Sequence, residues 1–284
     1  MQELTFRGTS VRIDTQNGAA VTYFSCTKGE TTFAPINNRG YNSFEGSLLF
    51  PFPNRLADGH FTFEGNEYQF DHNDFGRPNA LHGLVYNQPF SVQEKSENSL
   101  RVSYESSGEE KAFPFAYRLE ITYQLNKNEL TIDVKVINED TRNMPCGFGW
   151  HPYFDLTQTE EACRLKIPKV SKVEVDENMI PTGERNLYKD FQEFTSIQGR
   201  QLDTCFSLER VEERNSVFLT YPDFGSLEIW QNMNCPFIQI FKYDERSIAI
   251  EPMTCGIDAF HTGEGLKILS PQEMWAFNMG LKLY

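Results

Sequence analysis

Alternation between apolar and polar residues is the main pattern along this chain. In ELTIDVKVIN, every second residue from Leu130 to Val136 is apolar and the residues between them are polar. Successive side chains of a strand point to opposite faces, so this segment predicts a half-buried antiparallel strand. The preceding YRLEITYQL has the same alternation. Turn-forming residues at 126–128 join the two segments, which predicts a β-hairpin.

Short alternating segments recur through the rest of the chain, and none has the spacing of an amphipathic helix of three turns. Further strands are predicted in HFTFEG (60–65), NEYQF (66–70), LRVSYES (100–106), SLEIWQ (226–231), FIQIFKY (237–243), SIAIEP (247–252) and MWAFNMGLKLY (274–284). The 24 Phe and 12 Tyr supply bulk to fill the space between sheets. The pattern indicates an all-β fold, a large antiparallel β-sandwich. No linker, low-complexity tract or repeat divides the chain, so we predict one domain over residues 1–284.

The charge of the chain excludes two classes of partner. Lys and Arg number 26 against 40 Asp and Glu, which gives a formal net charge of −14. Such a protein repels nucleic-acid phosphates and anionic membrane surfaces, and no basic stripe offsets this. The sequence also contains no apolar run long enough to span a bilayer and no signal-peptide pattern. We therefore expect no nucleic-acid partner and no membrane partner.

The six cysteines are far apart in the sequence and include no Cys-x-x-Cys pair. A chain of this length does not need disulfides to stabilise its core. We expect reduced thiols and a cytoplasmic location.

Familiar cofactor and metal motifs are missing from the sequence. There is no Gly-x-Gly-x-x-Gly before a helix, no Walker loop, and no His-x-x-x-His or His-Glu-x-x-His spacing. The expectation is a protein with no nucleotide cofactor and no catalytic metal.

Five short segments place a polar residue between turn residues or at the end of an apolar strand. They are LFPFPNRLADG with Arg55, NALHGL with His82, GWHPYFDL with His151, QLDTCF with Asp203 and SIAIEPMTC with Glu251. Each has an ordinary structural explanation: a surface turn for Arg55, a loop for His82, an aromatic-packed core position for His151, a turn cap for Asp203, and a surface or ion-paired carboxylate for Glu251.

Glu251 is the most informative of these residues. It follows the apolar residues Ile248, Ala249 and Ile250, so its carboxyl group is expected near buried surface. An uncompensated buried carboxylate is costly, and its pKa rises. A shifted pKa of this kind is typical of a functional group.

The five segments, in this order, resemble the aldose 1-epimerase (mutarotase) family. The resemblance runs from about Leu48 to Phe260. It rests on Asn-Arg at 54–55 followed by DGHFTFEGNEYQF, Leu-His-Gly at 81–83, His-Pro-Tyr-Phe at 151–154, Leu-Asp-x-x-Phe at 202–206, the Gln of FIQIF, and Glu-Pro at 251–252. The resemblance implies a galactose mutarotase-like supersandwich. It also implies an isomerase that interconverts the α and β anomers of a free aldose.

The resemblance also assigns roles. It implies that Glu251 is the general base and His151 the general acid, and that the sugar is bound by Arg55, His82, Asp203 and Gln239. Opening a pyranose ring requires a base at the anomeric hydroxyl and an acid at the ring oxygen, so a carboxylate and an imidazole suffice without a cofactor.

The two groups must exchange acid and base roles when the ring closes, which favours groups that titrate near neutrality. The aromatic residues around His151 in GFGWHPYFDL are expected to exclude water, to hold the imidazole rigidly and to offer a flat surface to the sugar.

Departures from the galactose mutarotase pattern leave the sugar open. The chain has LLFPFPNRL where those enzymes have a glycine-rich Gly-Arg-x-x-Asn-Arg segment, and Leu84 follows Leu-His-Gly. These features are similar to a smaller aldose 1-epimerase-like branch. Two alternatives stay open: a hexose-6-phosphate 1-epimerase, which would need clustered cations for the phosphate, and a non-catalytic sugar-binding or sensor protein.

Overall fold

Strands form nearly all of the regular structure. A computed structural model of the chain describes residues 1–37, 40, 44–156 and 160–284, and these residues contain 27 strands. In chain order they are β1 (Gln2–Phe6), β2 (Thr9–Asp14), β3 (Ala20–Lys28), β4 (Thr31–Asn37), β5 (Leu48–Leu49), β6 (Arg55–Ala57), β7 (His60–Phe63), β8 (Asn66–Gln69), β9 (Asn79–Leu81), β10 (Ser91–Lys95), β11 (Ser99–Ser107), β12 (Ala116–Asn126), β13 (Glu129–Asn138), β14 (Met144–Cys146), β15 (Gly149–Trp150), β16 (Tyr153–Asp155), β17 (Arg164–Lys166), β18 (Val170–Val175), β19 (Pro181–Tyr188), β20 (Thr195–Ser196), β21 (Leu202–Leu208), β22 (Arg214–Tyr221), β23 (Gly225–Asn232), β24 (Phe237–Lys242), β25 (Ser247–Met253), β26 (Lys267–Leu269) and β27 (Met274–Leu283). The helical segments of the described residues are a 3₁₀ turn at Glu160–Ala162 and one short helix, α1 (Ala259–Thr262).

Two large antiparallel sheets form the framework. One has nine strands in the order β10-β11-β12-β13-β27-β23-β22-β17-β20. The other has eight, in the order β19-β18-β21-β24-β25-β15-β5, with β16 also paired to β25. A four-stranded sheet (β1 to β4) and the pairs β6-β9, β7-β8 and β14-β26 complete the fold.

The predicted hairpin is confirmed in the nine-stranded sheet. Asn126 of β12 pairs with Glu129 of β13, so the connection is a two-residue turn, and Asn128 in this turn has φ 60°. Asparagine tolerates positive φ better than most residues. The alternating residues from Leu130 to Val136 are almost completely buried, with 0–1% exposure, because they face the core between the two sheets.

The eight-stranded sheet contributes the opposite wall of this core. Ile240 of β24 pairs with Ile250 of β25, and both are completely buried in the main hydrophobic cluster. The next pair along these strands is Gln239 and Glu251. Because successive side chains alternate between faces, this polar pair lies on the face that points away from the core.

The seven further predicted strands are all present, as β7, β8, β11, β23, β24, β25 and β27, and the all-β prediction is confirmed. Sequence periodicity missed strands such as β10 and β19. Almost all of their residues are exposed, and both lie at the edges of their sheets. An edge strand without a buried face has no reason to alternate. Among the described residues, no helix is long and apolar enough to cross a membrane.

Candidate active site

A cleft of about 420 Å³ opens on the outer face of the eight-stranded sheet. Its volume is in the range of about 300–1,000 Å³ that is usual for small-molecule sites. All six residues singled out in the sequence line it. The lining consists of Phe44, Asn54, Arg55, Asp74, Phe75, Arg77, Leu81, His82, His151, Tyr153, Asp203, Gln239, Phe241, Tyr243 and Glu251.

Strand pairing brings three of the six together. Gln239 pairs with Glu251 across β24 and β25. Asp203 of β21 pairs with Phe241, two residues along β24, so it lies on the same face as Gln239, whose Nε2 donates to Asp203 Oδ1 over 2.7 Å. Glu251 is 1% exposed whereas Asp203 is exposed. Glu251, Gln239 and Asp203 therefore form a row that runs from the floor of the cleft to its mouth.

His151 is held by its backbone and by its aromatic neighbours. It follows β15 directly, its N–H donates to Ser47 O (3.0 Å), and its carbonyl accepts from Gly46 N (2.8 Å). The imidazole stacks on Tyr153 with ring centroids 5.1 Å apart and planes 7° apart, and it lies parallel to Phe44 at 6.4 Å. The aromatic residues that follow and flank His151 thus fix the plane of its ring.

His151 and Glu251 face each other at the floor of the cleft. His151 Nε2 lies 3.5 Å from Glu251 Oε1, with side-chain exposures of 6% and 2%. Among the described residues, neither His151 Nδ1 nor Glu251 Oε2 has a hydrogen-bond partner. Unsatisfied buried polar atoms are rare and require an explanation. Because both residues line the cleft, a ligand in the cleft could satisfy these atoms.

Burial sets the protonation states of this pair. It raises the pKa of Glu251 well above its ordinary value; the charge of Asp203 adds to this effect and Arg55 opposes it. Burial also lowers the pKa of His151 to about 3. Both shifts disfavour the charged form. Both shifts therefore favour the uncharged pair, in which Glu251 keeps a proton and His151 has none.

A chain of side-chain hydrogen bonds continues from Gln239 along the cleft floor. Gln239 Oε1 accepts from Asn54 Nδ2 (3.1 Å), and Asn54 Oδ1 accepts from Arg55 Nη1 (3.3 Å). Arg55 Nε donates to Asp74 Oδ2 over 2.8 Å, and Arg55 Nη2 lies 3.4 Å from Asp74 Oδ1. Asp74 is 1% exposed and Arg55 is 9% exposed. Each member fixes the next, so the polar atoms that face the cleft are held in place.

The tautomer of His82 follows from its contacts. The residue comes directly after β9 with φ 65°, and the Asn54 N–H donates to His82 Nδ1 over 3.1 Å. Burial, followed by the charges of His151 and Arg55, lowers the pKa of His82. The neutral ring accepts at Nδ1 and so carries its proton on Nε2, which is available to donate to a ligand.

No sequence pattern indicated Asp74, which lies in a loop segment without periodicity and is identified only through its contact with Arg55. Asn54 was noted as part of an Asn-Arg motif, but its place between Gln239 and Arg55 was not predicted. The aromatic lining at Phe44, Phe75 and Tyr243 was also missed, because nothing in the local sequence connects these residues. Among the described residues, no three His, Cys, Asp or Glu side chains are grouped as metal ligands would be.

Fold and site together define a β-sandwich protein that presents a buried carboxylate and imidazole to a ligand-sized cleft. A model of the aldose 1-epimerase family matches residues 3–282. The chain therefore belongs to the aldose 1-epimerase family, as its sequence motifs indicated.

Similar proteins agree with this assignment. The chain is 27% identical to Escherichia coli YihR over 236 residues, which are 79% of this chain and 74% of YihR. It is 28% identical to galactose mutarotase from Sus scrofa over 145 residues, which are 49% of this chain and 41% of that protein. The crystal structure of a galactose mutarotase-like protein from Clostridium acetobutylicum has a TM-score of 0.85 at 20% identity and covers 99% of this chain and 94% of its own. The fold is shared, and the prediction of a galactose mutarotase-like sandwich is confirmed.

Proposed function

We propose that this protein is an aldose 1-epimerase that interconverts the α and β anomers of a free aldose, with Glu251 and His151 as the groups that transfer protons. The observation that carries the proposal is the buried pair, with His151 Nε2 3.5 Å from Glu251 Oε1. A second polar atom of each residue has no partner among the described residues. A protein that only bound sugar would gain nothing from an unsatisfied acid and base at the floor of its cleft.

The single proton that Glu251 and His151 share is sufficient for ring opening. Transfer of the single proton from Glu251 to His151 gives the ionised base and the protonated acid that the reaction needs. Glu251 then takes the proton of the anomeric hydroxyl while the bond from the anomeric carbon to the ring oxygen breaks, and His151 protonates that oxygen. The products are an open-chain aldehyde and a pair that is again neutral.

Ring closure follows the same path in reverse after the aldehyde has rotated by a half-turn. Glu251 returns its proton to the carbonyl oxygen, and His151 takes the proton of the attacking hydroxyl. The total number of protons on the pair stays at one throughout. Because the low-dielectric floor favours the uncharged pair, the open-chain state coincides with the more stable protonation state of the protein.

The remaining polar groups support a neutral sugar as the substrate. In this proposal Arg55, His82, Asp203 and Gln239 hold the hydroxyl groups. The cleft has two arginines, Arg55 and Arg77, at 2.8 and 3.9 Å from Asp74, and it also contains a second carboxyl group, Asp203, that interacts electrostatically with both. A phosphate needs cations whose charge is not already compensated. The hexose-6-phosphate alternative therefore has little support from this cleft.

Polarimetry on freshly dissolved α-glucose, α-galactose and α-xylose tests the proposal, with glucose 6-phosphate followed by NMR as the competing substrate. We expect acceleration of mutarotation for at least one neutral sugar and a lower kcat/KM for the phosphate ester. If glucose 6-phosphate had the higher kcat/KM, the phosphosugar alternative would replace this proposal. If no sugar were accelerated but one bound, the protein would be a binding module.

We also propose a cytoplasmic location. All six cysteines are buried, and burial raises the pKa of Cys26 to about 11 and that of Cys255 to about 12. Thiols in this state are protonated and unreactive, which fits a protein kept in a reducing compartment. Cell fractionation of the native host tests this location.

A further inference from the structure

His151 lacks the hydrogen bond that usually orients a functional imidazole. Among the described residues its Nδ1 has no partner, while Nε2 faces Glu251 Oε1 at 3.5 Å. The ring of a functional histidine is commonly oriented by a hydrogen bond from its other nitrogen to a carbonyl or carboxylate group. Stacking on Tyr153 fixes the plane of the His151 ring but does not stop the ring from sliding within that plane. Its position in the cleft must therefore be set through its backbone.

Three hydrogen bonds join this part of the backbone to a turn at residues 44–47. Gly46 N donates to His151 O (2.8 Å), and His151 N donates to Ser47 O (3.0 Å). The third comes from a side chain, since the indole Nε1 of Trp150 donates to Gly46 O over 3.1 Å. Consecutive side chains point to opposite sides of a strand, so the indole is buried in the core while the imidazole lines the cleft. The core-facing indole thus holds the same turn that holds the backbone of the imidazole.

The turn is itself fixed to the four-stranded sheet. Gly46 O also accepts from Val21 N of β3 over 3.0 Å, so both lone pairs of this carbonyl are used. Gly46 has φ 79°, and a Cβ on it would lie 2.3 Å from Val21 O, so a side chain at this position would collide with β3. Phe44, in the same turn, lies against both imidazoles of the cleft, with ring centroids 4.6 Å from His82 and 6.4 Å from His151. A movement of this turn would therefore shift the surroundings of both histidines.

From these contacts we infer that Trp150 is a positioning residue for ring opening: its indole N–H fixes the turn at residues 44–47 and thereby the backbone and imidazole of His151. The inference rests on the proposed function, because that function makes His151 the general acid. Proton transfer requires the acid to lie within hydrogen-bond reach of the ring oxygen, and a displacement of about 1 Å can cost about 10²-fold in rate. Trp150 is not among the described residues that line the cleft, so it sets the position of the acid and does not bind the sugar.

The most selective test replaces Trp150 by β-(3-benzothienyl)alanine, in which a sulfur atom takes the place of the indole N–H and the bicyclic ring keeps its shape. Gly46 O retains its hydrogen bond from Val21, so this variant should fold. We expect kcat for mutarotation to fall by about 10-fold, with KM within about 2-fold of the parent value. Trp150→Phe removes the same N–H with an ordinary side chain and should lower kcat at least as much.

Trp230 provides the matched control. It lies on β23 of the nine-stranded sheet, it is 6% exposed, and its Nε1 has no hydrogen-bond partner among the described residues. The same two replacements at Trp230 remove no hydrogen bond and should leave kcat unchanged. NMR of isotope-labelled histidine reports on the imidazole directly, because the chain has 5 His and His151→Asn identifies the signal of His151. We expect this signal to shift or broaden in the Trp150 variants and to stay unchanged in the Trp230 variants.

The two measurements separate this inference from the proposed function. An unchanged His151 signal in the Trp150 variants, or a changed signal with the kcat of the parent, overturns the positioning role and leaves the aldose 1-epimerase proposal standing. An equal loss of kcat in the Trp150 and Trp230 variants assigns the effect to general destabilisation and also overturns the role. A parent that accelerates the mutarotation of no sugar overturns the proposed function, and the NMR signal alone then decides whether Trp150 positions the imidazole.

Discussion

Glu251 and His151 owe their proposed chemistry to burial. Burial raises the pKa of the Glu251 carboxyl group and lowers the pKa of the His151 imidazole to about 3, so the one-proton form of the pair covers a wide pH range. The two apparent pKa values of a pH profile are then properties of the pair and not of either residue alone. At the acidic limb the pair takes up a second proton, and at the alkaline limb it loses its only proton.

The pH dependence of kcat/KM is therefore expected to show a broad plateau between its two limbs. The acidic limb should lie well below the ordinary histidine pKa of about 6.5, and the alkaline limb well above the ordinary glutamate pKa of about 4.3. Initial mutarotation rates from about pH 4 to about pH 9, corrected for buffer catalysis, give the profile. An acidic limb centred near pH 6.5 would contradict this assignment of the proton.

Replacing Glu251 by Gln tests its role as a base, because Gln keeps the shape of the side chain and removes the carboxylate. We expect kcat to fall by at least about 10²-fold, with a much smaller change in sugar affinity. His151→Asn should behave in the same way. The double variant should lose less than the product of the two effects, since the two groups act in one step. If the Glu251→Gln variant had the same kcat as the parent, another residue would have to be the base that opens the ring.

Asp74 is a positioning residue in this interpretation. It receives Nε of Arg55 at 2.8 Å and Nδ2 of Asn79 at 2.8 Å, so Asp74→Asn would remove the counter-charge of a buried guanidinium. Hydrogen bonds to charged groups contribute about 1.5–3 kcal/mol. We expect KM for the sugar to rise by about tenfold or more, with a smaller change in kcat. Asp71→Asn, at an exposed position in the same loop, is the control, and equal KM values for the two variants would exclude the role.

At the scale of elements, the segment from β14 to β15 positions His151 through very close packing. A Cβ on Gly147 would lie 2.2 Å from Cys255 Sγ, and a Cβ on Gly149 would lie 2.7 Å from Pro53 Cβ. The strands approach this closely because neither glycine has a side chain. The position of the imidazole that we propose as the general acid therefore depends on residues that do not line the cleft.

Gly147→Ala should consequently destabilise the protein and reduce kcat, because the strand must shift away from Cys255. Overpacking of this kind costs typically about 1–3 kcal/mol. The double variant Gly147→Ala with Cys255→Ala removes the clashing sulfur and should recover part of both losses. Thermal unfolding and polarimetry measure the two effects. A Gly147→Ala variant that matches the parent in both would show that the close packing is not needed.

At the scale of the whole molecule, one hydrophobic cluster extends from the four-stranded sheet through both large sheets. We propose on this basis that residues 1–284 form a single domain. The same packing buries the carboxyl group of Glu251 at the cleft floor, and burial makes its ionisation in the folded state costly in free energy.

That cost predicts a pH-dependent gain in stability for Glu251→Gln. The folded protein keeps the Glu251 proton above the ordinary glutamate pKa, whereas the unfolded chain releases it, so the free energy of unfolding of the parent declines as pH rises. Each pKa unit is worth about 1.4 kcal/mol. From about pH 5 to about pH 8, the Tm of Glu251→Gln relative to the parent should increase by about 2 °C or more. An exposed change, Glu97→Gln, should show no such trend, and a constant difference for Glu251→Gln would refute the raised pKa.

Local sequence determined the strands with one buried face. A period of two is a property of neighbouring residues, so the hairpin of β12 and β13 could be predicted without knowing the fold. Edge strands such as β19 lack a buried face and were missed. The order of motifs also indicated the family and six candidate residues, whose roles stay predictions.

Only the tertiary structure decided how these residues meet and in what state. Asn54 and Gln239 are 185 positions apart in the chain and share a hydrogen bond, and local pattern carries no information about such a distance. Asp74 became visible only as the partner of Arg55. The proton on Glu251 depends on burial from every side, because desolvation is set by all surrounding atoms and not by neighbours in sequence. The sequence thus determined which chemical groups are available, and the packing of the two sheets decided their distances and their charge.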